Sequence, residues 1–168
     1  MKKYIPLVLA LSLNSYAGEQ SCLEKYEAYA DAQAKWQEDS TALINQNLPK
    51  HAELANYYRD VQLATIERNR LAVKILEQHN PKLLASDEPM NHWLDLSPAL
   101  DKKLAHYDPT YKSKLDASNA LKKKAPAGNS EDFRKAFRET LMSSDEFQRL
   151  LKNFNAEVLE INGQACKK

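Results

Sequence analysis

"ALINQNLPKHAELANYY", Ala42 to Tyr58, decides the fold, because two apolar periodicities meet at its centre. Upstream, Cys22, Tyr26, Tyr29, Gln33, Trp36, Ser40, Leu43 and Asn47 step by four and three. Leu23, Ala30, Ile44 and Leu48 widen that stripe. Downstream, Leu54, Tyr57, Val61, Ala64, Arg68, Leu71 and Ile75 repeat the pattern, flanked by Tyr58, Thr65, Ala72 and Leu76. This spacing puts each set on one face of an α-helix. The spacing predicts helices over 21–47 and 50–79, each about 40 Å long. Pro49 stops the first, and the His79-Asn80-Pro81 sequence stops the second, since a residue before proline resists helical geometry. With only "LPK" between them, the two helices must fold back as an antiparallel hairpin.

Outward from the hairpin, the composition remains helical. Val, Ile and Thr together number only 11 after residue 17, too few for an extensive sheet. The three glycines, Gly18, Gly128 and Gly163, stand at boundaries, as do the prolines beyond residue 17. Ser86, Ser97 and Asp108 stand where helix N-caps belong, the last two followed at once by proline. One or two short helices are therefore expected between Pro81 and Pro109, then a helix from Pro109 to Lys124. "APAG" follows as a loop. From Phe133 through Phe137, Phe147, Leu151, Phe154 and Val158 to Ile161 the periodicity carries across "MSSDEF", so one long C-terminal helix is preferred to two broken at Ser143–Ser144. Gly163 is placed just past its end. The fold class is all-α, an elongated bundle of four or more helices.

The first 17 residues read as a secretory signal. Lys2 and Lys3 precede an apolar run from Tyr4 to Leu13, and Ser15 and Ala17 are the small residues at a cleavage site. The run is too short to span a bilayer. Cleavage after Ala17 leaves residues 18–168 as one domain, exported with the periplasm as destination and secretion as second choice. Cys22 is preceded by Glu19, Gln20 and Ser21, which is no lipid-attachment sequence. Its one possible mate is Cys166, and in an oxidising compartment the pair is a disulfide. Closing so long a loop is worth about 5 kcal/mol in the chain-entropy model. It also requires the start of the first helix to lie beside the end of the last.

Charge excludes one class of partner. Without Lys2 and Lys3, 22 basic side chains stand against 23 acidic ones, so nothing indicates nucleic acid. The basic run in "LKKKAPAG" reads as a solvated helix end. His51, His79, His92 and His106 form no zinc-enzyme pattern. Glu88, His92 and Asp95, or His106 with Asp108, fall short of the converging ligands that a metal needs. No nucleophile motif and no glycine-rich cofactor loop is present, so no catalytic residue, metal or cofactor is assigned.

Two constellations are candidates for function. His92, Trp93, His106, Tyr107 and Tyr111 lie in a proline-braced aromatic stretch suited to a protein partner. Trp93, Tyr107 and Tyr111 also keep helical spacing, so roofing the open end of the hairpin is the competing reading. Second, folding about Pro49 sets Gln33 against Thr65 and Ala30 against Arg68, while the Cys22–Cys166 pairing brings Asn155 opposite Gln33. Gln33, Thr65, Arg68 and Asn155 then form an interior polar layer, fixing register or holding a small anion. Three functions follow in order: a non-catalytic module binding one exported protein, of inhibitor or immunity type; a periplasmic chaperone or stress protein; a small-ligand or metal carrier using the bundle interior.

Overall fold

Ser21 starts the first helix through a reciprocal cap. Its hydroxyl accepts the Glu24 N–H at 3.1 Å, and the Glu24 carboxylate accepts the Ser21 N–H at 2.8 Å. In the computed structural model, which describes residues 20–126 and 130–167, this cap opens α1, Cys22–Asn47. The expected signal and part of the "APAG" loop lie outside the described residues. Pro49–His51 forms one 3-10 turn, and α2, Ala52–His79, returns antiparallel to α1. Asn45 donates to Asn56 across the turn at 3.0 Å. Further along the hairpin, the half-buried guanidinium of Arg70 on α2 reaches Glu27 and Asp31 of α1.

Beyond α2 the chain runs through 3-10 turns at Pro81–Leu83 and Met90–His92 into α3, Pro98–Tyr107, and α4, Pro109–Lys122. The Ser97 and Asp108 caps are formed, each with proline at the first helical position. Ser86, expected to cap a helix, opens none; the segment from Leu84 to Trp93 folds inward instead. Its Ala85 N–H donates to the Trp93 carbonyl, and the Trp93 indole donates to the Glu88 carbonyl at 2.8 Å. α4 lies along α2, where the Tyr57 hydroxyl donates to the Lys122 carbonyl.

The C-terminal segment is two helices, α5, Ser130–Thr140, and α6, Asp145–Gly163, not the single helix preferred from periodicity. Ser144 caps α6, accepting from the Phe147 N–H and donating to the Leu141 carbonyl. The reason is geometric. A straight helix antiparallel to α1 from Cys166 runs out of neighbour where α1 ends, at the hairpin turn. The break buries Leu141 and sets Phe137 edge-on to Phe147, in a cluster with Leu43 and Leu48. Phe133 then lies against His51 and Tyr58 at the start of α2. Gly163 belongs to the last turn of α6 rather than following it, with Gln164 as the cap.

At the other end, the Cys22–Cys166 disulfide joins the start of α1 to the chain just past α6, with Cα atoms 4.9 Å apart. A two-residue parallel pairing of Gln20–Ser21 with Cys166–Lys167 accompanies it. Here lies the main core: Tyr26, Ala30, Val73, Leu76, Met90, Trp93, Leu104 and Tyr111 are all buried. Lys25 is buried with them. Its ammonium donates to the carbonyls of Asn162 (3.2 Å) and Gln164 (2.6 Å) and stands 5.6 Å from the centre of the Trp93 ring. Burial lowers its pKa from the ordinary lysine value. Among the described residues, no helix is long and apolar enough to cross a membrane.

Candidate functional site

The aromatic stretch singled out in the sequence divides between core and surface. Trp93 has no exposed surface and stacks on Tyr26 at 6.0 Å. Tyr111 is likewise fully buried, and its hydroxyl donates to Asp101. Burial first, then that hydrogen bond, raises the Tyr111 pKa above the ordinary tyrosine value. Asp101 also faces Arg68, 3.9 Å away, so α2, α3 and α4 meet at a half-buried Arg68–Asp101–Tyr111 link. These two rings are therefore core and not a partner surface. His92 is exposed on the 3-10 turn. His106 and Tyr107 are exposed near the end of α3.

The interior polar layer is not assembled. Gln33 donates to the Tyr29 hydroxyl, Thr65 to the Val61 carbonyl of its own helix, and Arg68 to Asn69. Asn155 is exposed on α6. The helix register expected from Pro49 holds to within a turn, as the Asn45–Asn56 and Arg70–Asp31 contacts show, but Gln33, Thr65 and Arg68 each bond within their own helix, and Arg68 also faces α3. α3, which sequence spacing left outside the layer, supplies the acid that Arg68 meets.

His106 and Tyr107 lead instead to a groove of about 560 Å³ between the end of α2 and α3. A volume of this order suits a ligand or the anchoring side chains of a partner. Ile75, Leu76, Leu100 and Leu104 make its floor, and Leu83 on the 3-10 turn closes one side. The His79 and Tyr107 rings stack 5.3 Å apart and 5° from parallel, pinning the last turns of the two helices together. Lys102, Lys103, His79 and His106 supply the polar edge. No Asp or Glu is among the described residues that line it.

The local sequence explains this arrangement. In "SPALDKKLAHY", Leu100, Leu104 and Tyr107 follow helical spacing and face α2, while Lys102, Lys103 and His106 border that stripe. Ser97 and Pro98 fix where the helix starts and hence which residues turn inward. Along that stripe Leu104 is buried, Leu100 half-buried and Tyr107 exposed, so α2 covers only part of it. The sequence reading found His106 and Tyr107 but missed the other wall. The signal available was the run Ile75, Leu76 and Leu83, apolar positions continuing past a proline stop, with the His79 ring between them.

Among the described residues, no group of three or more His, Cys, Asp or Glu side chains is placed to hold a metal ion. No family model, curated protein or solved structure matches the chain.

Proposed function

We propose that this chain is an exported, periplasmic protein-binding module that engages one partner through the groove between α2 and α3, without chemistry of its own. The observation that carries this reading is an apolar-lined groove with two exposed apolar side chains at its edge. Among the described residues, the exposed large apolar side chains are Tyr58, Leu83, Tyr107, Met142 and Leu159. Two of the five, Leu83 at 47% and Tyr107 at 62% exposure, border this one groove. A ring and a leucine beside an apolar floor are the anchors from which binding energy is built. A chaperone for unfolded clients calls instead for apolar surface spread along its long helices. A carrier calls for an enclosed polar interior, and the four residues expected to form one point elsewhere. Export is supported by the signal-like Met1 to Ala17 stretch and by the disulfide, a bond that persists in oxidising compartments.

The test is affinity capture by the oxidised protein from its own periplasmic extract, run beside Leu83→Asp and Tyr107→Ala. One stoichiometric partner, lost with either variant, is the expected result. Many weakly held clients, insensitive to both substitutions, would favour the chaperone.

A further inference from the structure

From the same groove, and resting on the reading of it as a partner-binding face, we infer that its occupant is an acidic amphipathic helix of the partner protein. Shape and charge carry the inference together. The groove follows α3 over its ten residues, about 15 Å. Leu100 and Leu104 on α3, four residues apart, face Ile75, Leu76 and Leu83 across it, with Tyr107 exposed at one end, and such a lining suits the i, i+4, i+7 leucine-type stripe of a helix laid in a groove. Two lysines and two histidines border the floor, and no carboxylate faces it among the described lining residues. Lys102 and Lys103 take no part in the ion pairs of the described residues. Both lysines are exposed, so a facing carboxylate meets them without first displacing an ion-pair partner. The one acid on this helix near the site, Asp101, is turned the other way, toward Arg68 and Tyr111. The edge thus attracts acids and rejects bases, while the floor supplies affinity.

The probe is a synthetic helical peptide of about 12 residues, roughly three turns, with leucines in one stripe and glutamates flanking it. Its counterpart carries lysine for every glutamate, and decanoate serves as a small anionic competitor. Binding to the full oxidised chain is read by fluorescence anisotropy of the labelled peptides. The acidic peptide is expected to bind at least about tenfold tighter than the basic one, with an advantage that shrinks as salt is raised. Lys102→Glu with Lys103→Glu reverses the preference, and Leu83→Asp removes binding of both peptides. These positions are exposed, so unchanged circular dichroism and melting show that the variants remain folded.

Equal binding of the two peptides, preference for the basic one, or decanoate binding where neither peptide binds overturns the inference. Partner capture separates its failure from that of the reading beneath it. If the acidic peptide fails while Leu83→Asp still abolishes capture, the helix is the wrong occupant and the face stands. If Leu83→Asp leaves capture intact, the face itself is wrong.

Discussion

At the scale of single residues, Trp93 and Tyr107 show how similar sequence signals part company in space. Trp93 is enclosed by Tyr26, Lys25 and its own loop, so Trp93→Ala is expected to destabilise the protein by about 3–5 kcal/mol. Tyr107→Ala removes a mostly exposed ring and its stack on His79, and should cost about 0.5–1.5 kcal/mol, well below Trp93→Ala, while weakening partner capture. Urea unfolding of the two variants, with capture measured alongside, checks the contrast. Tyr26 gives a prediction in pH. Burial, and then the neighbouring Tyr29 hydroxyl, push its pKa up to about 12 from an ordinary value of 10.0. Its folded pKa is raised, so its contribution is complete below pH 10 and is lost as pH climbs toward 12. The wild type should therefore lose stability across that window more steeply than Tyr26→Phe, as followed by melting temperature. A parallel slope in the two proteins would contradict the burial of that hydroxyl. Neither fate was legible from residue type: an aromatic at helical spacing reads alike whether the face above it is covered or bare.

Among the elements, the hairpin and the capped helices were the legible part. Pro49, Pro81, Ser97-Pro98 and Asp108-Pro109 punctuate the chain through local chemistry that needs no tertiary knowledge. The Ser21–Glu24 capping box was equally available in the sequence, and it places the start of α1 to the residue. The break between α5 and α6 was not legible from periodicity, because the apolar phase continues through it. Its cause is the finite length of α1, a property of the assembled bundle. Ser144→Ala should then cost about 1 kcal/mol, the usual loss for a serine N-cap, and destabilise α5 and the start of α6 first. Hydrogen exchange resolved along the chain distinguishes this from a uniform loss. If the segment were one continuous helix, alanine would instead leave stability unchanged or raise it.

Over the whole molecule, two clusters at opposite ends of the long hairpin do different work. The cluster at the turn is closed by α5 and α6, and the larger one is closed by α3, α4, the inward loop and the disulfide. Reduction of Cys22–Cys166 is expected to remove up to about 5 kcal/mol and to loosen the disulfide end before the turn. Thermal melting with and without reductant, together with exchange at the start of α1 and the end of α6, checks both the size and the location. The cysteine pairing could be read from the sequence because two cysteines permit one bridge. The groove could not, since it depends on how far α3 extends past the surface of α2, and on the inward fold of the loop between them. Its residues were half found for that reason: the α3 side advertised itself with rings, and the α2 side looked like ordinary core. Partner binding, as proposed, rests on that groove. Its most direct test is hydrogen exchange of the oxidised protein saturated with its captured partner. Protection confined to the end of α2, the Pro81–Leu83 turn and α3 is the predicted result. Protection on α5 and α6 with the α2–α3 face unchanged would contradict it.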